Sequence, residues 1–511
     1  MYRPIALLVL TAMLAGGCTP PEPTPMTYRE PFRPQFHFSP ERNWMNDPNG
    51  LVYYDGEYHL FYQHNPFGIR WGHMSWGHAV SPDLVHWEQL PVALAEENGV
   101  MIFSGSAVVD AANTSGFGEA GQTPLVAVYT GHTDTLQTQH IAYSMDRGQS
   151  WTKYAGNPVL DLGMKDFRDP KVFWHEETAQ WIMVVSLSTE RKVHFYGSPD
   201  LKTWTFLSEF GPAGAPEGIW ECPDLFPLPV EGTDGETRWV LIVNIGSHAA
   251  AGGSGGQYFV GSFDGRMFVN DNPPERVLWV DEGADFYAGV TWSDIPPADG
   301  RRILLGWINN WQYAQDIPTS PWRSAQSIPR VLGLRQTPDG PRLSQQPVAE
   351  LASLRGEGHH HRDLDFAAAN ALALLGNQLE VDVEIALNGA TEVWLDVLAG
   401  ESQRTAVGYD ATAGRAFIDR SASGVGDFHD VFLTRHTAPY RVEGDVVHLR
   451  VFVDWSVVEL FTGDGLLAMT DRVFPDAASQ AVRFGHTGGA PRIRRLDVWP
   501  LRSIWTPKPA A

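Results

Sequence analysis

Three acids in this 511-residue sequence sit in closely similar local surroundings. Asp47 lies in "WMNDPNG", Asp169 in "DFRDPKVFW" and Glu221 in "GIWECPDLF". Each is held next to or near a proline at the edge of an aromatic, strand-forming run. Proline biases the residue before it toward extended backbone, and Asn49-Gly50 signals a tight turn, so Asp47 is expected at a strand end. One such aspartate alone reads as a turn residue bonding its own backbone. Three of them, with neither a Cys/His metal set nor a phosphate-cradling loop, form the carboxylate cluster that glycosidic bond cleavage requires. One carboxylate attacks the anomeric carbon, a second protonates the departing oxygen, and another steadies the oxocarbenium-like transition state. The apolar flanks of Glu221, namely Trp220, Cys222 and Pro223, predict a carboxyl kept protonated as a general acid needs. The amides of Asn46 and Asn49 are expected to orient Asp47 and keep it ionised.

Distant acids converge only if the fold gathers their strands. "LVYY" and "EYHLFYQ", joined by Asp55-Gly56, read as a hairpin. A Ser-x-Asp motif followed by an aromatic recurs in "SPDLVHW" at Ser81, "SMDRGQSW" at Ser144, "SPDLKTW" at Ser198 and "SFDGRMF" at Ser262. The spacings are 63, 54 and 64 residues (144−81, 198−144, 262−198), and each copy follows a strand-like run. This period suits a four-stranded blade with a long loop. Four copies plus the region of "RRILLGWINNW" predict an all-β fold with a five-bladed β-propeller over residues 36–346. Loops from all blades would then meet at one central funnel.

Composition supports this picture: 12% of residues are aromatic, and 50 glycines and 37 prolines favour turns over long helices. The net charge of −23 argues against nucleic acid as a partner, because a polyanion needs a basic face. Cys18 ends "MYRPIALLVLTAMLAGGC", whose apolar run is too short for a membrane span and reads as an export signal over residues 1–18. It resembles a bacterial lipoprotein signal, which implies lipidation of Cys18, anchorage to a membrane of the cell envelope and no disulfide for Cys222. The proline-rich residues 19–35 are expected to form an extended tether.

Five blocks, "WMNDPNG", "FSGSAV", "FRDPKVF", "WECPDLF" and "DFYA", resemble in order and spacing the signature blocks of glycoside hydrolase family 32, the fructan hydrolases and invertases. The runs "GGSGGQYFVGSFDG" and "NWQYAQDIPTSPWRSAQSIPR" are similar to those of bacterial levanases. The resemblance covers nearly all of the expected mature chain. It implies a propeller joined to a C-terminal β-sandwich and a retaining mechanism through a covalent fructosyl-enzyme. By position, it implies that Asp47 is the nucleophile, Glu221 the acid/base and Asp169 the acid that binds fructose hydroxyls. It further implies sugar contacts from Asn46, Gln63, Trp71 and Phe103, and from Ser104, Arg168, Tyr287 and Trp307. No cofactor and no metal are implied. A fructan or a sucrose-type carbohydrate is the expected substrate, attacked from the chain end. A fructosyltransferase would use the same acids, an endo-acting levanase is a further reading, and a non-catalytic fructan-binding protein would be expected to lack one of them.

"PVAELASLRG" has the apolar spacing of a short helix, within a linker over residues 347–362. The consecutive His359, His360 and His361 are assigned to that solvated linker, since neighbours on a strand face opposite ways and suit no metal. Beyond it, alternating runs such as "LEVDVEIAL" and "VVHLRVFVDWSVVELF" predict a sandwich over residues 363–511. That domain is expected chiefly to stabilise the propeller, sugar binding being the second reading. In the family the "DWSVVELF" position commonly reads Asp-Arg-Ser-Ser-Val-Glu. Here Trp455 and Val457 replace the arginine and second serine, so the resemblance does not carry over a polar role for the segment.

Overall fold

The computed structural model describes residues 27–119 and 121–505. Cys18, and with it the expected signal and lipidation, lies outside the described residues. From Asn43 onward the chain forms five antiparallel groups of strands in succession, the last two joined into one nine-stranded sheet by parallel pairing of Val230 and Glu231 with Leu334 and Arg335. Their first strands are Asn43–Tyr54, Met101–Val109, Phe167–His175, Trp220–Glu231 and Tyr287–Thr291. Each first strand packs against the next, and the last packs against the first, so the groups radiate as the blades of a propeller. Parallel pairing of Asn43 and Trp44 with Trp322 and Arg323 ties the start of the ring to its end. These strands are covered on both faces by neighbouring blades, which is why they lack the half-polar alternation of a surface strand. Between the first two blades, for example, Phe61, Trp76, Ile102 and Tyr129 pack together with no solvent access of consequence.

The Ser-x-Asp repeat falls where the third strand of a blade ends. In the first and third blades the Asp83 and Asp200 amides each donate to the preceding serine Oγ at 3.1 Å. Their Oδ1 atoms accept from the next turn's N–H groups, so the motif stops one strand and aims the fourth. The fifth blade carries its own degenerate copy. Its third strand, Arg330–Thr337, ends in "TPDG", and the Asp339 amide donates to Thr337 Oγ1 at 3.2 Å. Threonine in place of serine, and the lack of a following aromatic, hide this copy in the sequence.

The expected tether does not extend to residue 35. From Tyr28 the chain is packed: Arg33 is fully buried, donates to Ser39 Oγ and to the carbonyls of Pro40 and Glu41, and lies over the rings of Tyr28 and Trp322. The stretch lacks a hydrophobic period because single anchors, rather than a face, hold it down.

A 3₁₀ helix, Ala349–Leu354, follows the propeller where a short helix was expected. The histidine run is not a linker. His359–Leu364 is the edge strand of a six-stranded sheet, paired with Arg492–Pro500. Its side chains are polar because an edge strand meets water on most sides. That sheet faces a five-stranded one across a core containing Val381, Val383, Val451, Leu395, Val407 and Ile418.

The "DWSVVELF" segment has a polar role after all, at the junction of the two domains. Asp454 accepts the backbone N–H groups of Gln35, Phe36 and His37 at 2.7, 2.8 and 3.1 Å. His37 bridges Asp454 and Glu459 at 2.8 and 3.0 Å. Burial opposes its charge, yet hydrogen bonds to these two carboxylates raise its pKa. Glu459 also receives Arg330 at 2.6 Å, and Arg330 reaches Asp281 at 2.9 Å. The acids at the two ends of the motif carry these bonds, so losing the arginine between them removes nothing from the junction.

Candidate active site

All five first strands share one irregularity. Three residues on the first strand span two on its neighbour, between Met45 and Pro48, Ile102 and Gly105, Arg168 and Lys171, Glu221 and Asp224, and Tyr287 and Val290. This is a β-bulge, which breaks the two-residue alternation and re-aims the side chains beside it. Asp169, Cys222 and Ala288 in three of the bulges have φ of +67°, +44° and +53°. Pro48, Pro170 and Pro223 fall at or next to these bulges, where a missing N–H removes least from the ladder. The five blocks noted in the sequence are thus five copies of one structural element at equivalent positions in the ring.

Each bulge is tied to the next by a buried polar group. Asn49 donates to Asp47 O at 3.2 Å and accepts from Gly105 N at 3.3 Å. Ser106 Oγ donates to Pro170 O and accepts from Val172 N, both at 2.9 Å. Cys222 N donates to Asp169 Oδ2 at 3.0 Å. Asn244 donates to Cys222 O at 3.0 Å and accepts from Gly289 N at 3.1 Å. Gln326, paired with Trp307 of the fifth blade, donates to Asn46 O at 2.9 Å and closes the circle.

This ring brings the three acids together. Asp47 Oδ2 accepts from Ser104 Oγ at 2.7 Å, and its Oδ1 from Asn46 Nδ2 at 3.0 Å. Cys222 Sγ stands between Asp47 Oδ2 at 3.5 Å and Asp169 Oδ2 at 3.6 Å. Glu221 accepts from Arg168 Nε at 2.9 Å on one oxygen and from the Tyr287 hydroxyl on the other. The apolar flanks read from the sequence do not surround its carboxyl. Trp220 is buried between the third and fourth blades, and the Cys222 thiol turns toward the two aspartates. The bulge at Glu221–Asp224, with Cys222 at φ +44°, turns these neighbours apart, so sequence adjacency misleads here.

Burial, then the charge of Glu221, raises the Asp47 pKa, while bonds from Ser104, Asn46 and Cys222 oppose the shift. Burial also raises Asp169; Arg168 opposes this, and the charges of Glu221 and Asp47 add to it. Burial and then the same acids push the Cys222 thiol well up, so it stays protonated and is a weak donor. Burial, then Glu221, keeps Tyr287 a neutral phenol.

The acids line a cavity of about 430 Å³. Asn46, Gln63, Trp71, Phe103, Ser104 and Arg168 line it too. Trp71 is 37% exposed and meets Phe103 edge-on, so one indole face is open. Tyr287 does not line the cavity: it is buried behind the wall, with its hydroxyl on Glu221. Trp307 does not line the cavity: it is fully buried, with its ring centroid 4.8 Å from that of Trp311 and 6.0 Å from that of Trp44. The lining indole is Trp311, which the sequence reading missed, as it missed Ser247. Both residues follow the end of a second strand, Ile308 and Ile245 respectively, in loops at the mouth. That position was the available signal.

Residues 37–347 match the family model described as the glycosyl hydrolases family 32 N-terminal domain, and residues 350–500 match its C-terminal counterpart. The chain belongs to glycosyl hydrolase family 32. It is a glycoside hydrolase of the β-fructosidase type. Among family 32 relatives, it is 50% identical over 490 residues to a levanase of Bacillus subtilis (strain 168), covering 94% of this chain and 72% of that one. It is 41% identical over 519 residues to an extracellular exo-inulinase of Aspergillus niger, covering 94% and 96%. The crystal structure of an exo-inulinase from Aspergillus awamori superposes with a TM-score of 0.87 at 39% identity, over 94% of this chain and all of the other.

Proposed function

We propose that this enzyme hydrolyses the terminal β-fructosyl linkages of fructans, levan or inulin, and of sucrose-type substrates, with retention at the anomeric carbon. The observation that carries the reading is the meeting of Asp47, Asp169 and Glu221 in one cavity, with Arg168 and Tyr287 on Glu221. An Asp47 oxygen attacks the anomeric carbon as the bond to the leaving oxygen breaks, and protonated Glu221 gives that oxygen its proton. The fructosyl unit is then an ester of Asp47. Glu221, now anionic, takes a proton from water as the water oxygen attacks the same carbon, which frees Asp47 and restores the acid. The Tyr287 hydroxyl and the Arg168 guanidinium suit the anionic stage, since both donate to Glu221. Asp169 accepts from ring hydroxyls, and the faces of Trp71 and Trp311 bound the furanose. Asp47 is fixed by the side-chain donors of Asn46, Ser104 and Cys222, and attack needs such a near-attack geometry.

Attack from the chain end is supported by the shape of the site. Below the three acids the propeller axis narrows to a crevice of about 20 Å³, too small to pass a sugar ring, which favours entry by a chain end. A time course of products from levan and from inulin tests this. Free fructose is expected as the sole early product. Early oligosaccharides would overturn exo attack, and no release from either polymer or from sucrose would overturn the substrate class.

The same reading places the enzyme outside the cytoplasm on a lipid attached to Cys18, supported by the Arg3-led apolar run and the small residues before that cysteine. In a bacterial host the intact chain is expected in the membrane fraction and Cys18→Ala in the soluble fraction. Retention of Cys18→Ala in the membrane would overturn the anchor.

A further inference from the structure

A second cavity, of about 500 Å³, shares no lining residue with the catalytic one. It opens between the amino-terminal segment, at Arg29 and Phe32, and the sandwich, at Asn377, Trp455, Asp476 and Gln480. Trp455 occupies the first position of a two-residue hairpin loop, since Asp454 pairs with Val457, and its φ is +50°. Such a loop favours glycine, asparagine or aspartate, and a bulky side chain there is strained. An indole kept against that preference points to a use for it. Packing is not that use: Trp455 belongs neither to the sandwich core nor to the clusters at the domain junction. Its Nε1 donates to Gln378 Oε1 at 3.3 Å, which fixes the ring plane.

The opposite wall is equally fixed. Ser456 Oγ donates to Phe32 O at 2.6 Å, and Asp454 holds the backbone of Gln35 and Phe36. The cavity therefore exists before a ligand arrives, so little ordering is needed on binding. Its polar equipment is balanced: the Asn377 and Gln480 amides offer donors and acceptors, and the charges of Arg29 and Asp476 offset one another. A flat apolar face beside neutral amides matches a hydroxyl-rich, uncharged ring.

We propose that this cavity is a second, non-catalytic binding site for a fructan segment, with Trp455 as its platform and the Asn377 and Gln480 amides as hydrogen-bond partners. The choice of fructan rests on the function proposed above. Such a site holds the polymer on the enzyme between successive cuts at its end.

Affinity electrophoresis of the full chain in levan-containing gels tests it, with Asp47→Asn present throughout to stop digestion. Apparent affinity is expected to fall about tenfold in Asp47→Asn/Trp455→Ala and several-fold in Asp47→Asn/Asn377→Ala. With Asp47 restored, Trp455→Ala and Asn377→Ala are each expected to keep kcat/KM on sucrose, which shows that the fold and the catalytic cavity are intact. Unchanged retardation in both variants, with sucrose turnover kept, would overturn the second site. Equal retardation by dextran would overturn the fructan assignment. A parent chain that cleaves neither fructan nor sucrose would instead overturn the proposed activity, while the gel shift of the Asp47→Asn pair would still decide the cavity.

Discussion

Asp47→Asn is expected to lower kcat on fructan and on sucrose by on the order of 10⁵-fold, with KM changed little. The amide keeps the shape of the carboxylate and its bond to Ser104 Oγ, but it cannot form the fructosyl ester of the proposed mechanism. Stability should hold or rise, because a buried carboxylate that burial and Glu221 disfavour is replaced by a neutral group. The control that separates nucleophile from acid is Glu221→Gln. With natural substrates it is expected to lose about 10³-fold, the loss typical of a missing general acid. With fructosyl fluoride, whose leaving group needs no proton, the first-turnover burst of fluoride from Glu221→Gln should approach that of the unaltered enzyme while later turnovers stay slow for want of the base that hydrolyses the ester, whereas Asp47→Asn should show no burst. Rescue of Asp47→Asn instead would reverse the two roles.

Arg330→Met is expected to destabilise the chain by about 3–5 kcal/mol, read as a fall in the denaturant midpoint. Arg330 is wholly buried, and it donates to Asp281 at 2.9 Å, to Glu459 at 2.6 Å and to Thr470. Its removal strands two buried carboxylates, whose desolvation is then uncompensated. His37 remains beside Glu459, so the loss should be larger in Arg330→Met/His37→Phe. Restoring part of the stability with Glu459→Gln in the Arg330→Met background would identify the stranded charge as the cause. No restoration would assign the loss to packing against Phe286 and Phe461, over which the guanidinium lies. Arg330 does not line the catalytic cavity, so the folded fraction should keep its kcat.

The Arg330 prediction depends on how the two domains are joined. Trp455, standing where the family has arginine, leaves the resemblance silent on a polar role for this segment. The bonds are instead carried by Asp454 and Glu459, five positions apart, to partners more than a hundred residues away. No local pattern announces such pairs. The same holds for Arg33, Arg330 and Arg420, all buried and all indistinguishable in sequence from surface arginines.

The sequence by itself determined the three candidate acids, the strand content, the repeat and the family, because each is written in short-range chemistry. Proline beside Asp47, Asp169 and Cys222 constrains backbone over one or two residues, and Ser-x-Asp turns close within four. Tertiary structure alone decided which side chains face the substrate. One extra residue in each first strand reverses the alternation on which a reading of inward and outward residues depends, so Cys222 turns to the aspartates while Glu221 meets Arg168 and Tyr287. It also decided between Trp307 and Trp311, four positions apart. The first lies in a strand and is sealed between blades, and the second lies in the loop beyond it and meets the cavity. That choice is set by where the strand ends relative to the ring of blades, a relation among five blades that no single stretch of chain encodes.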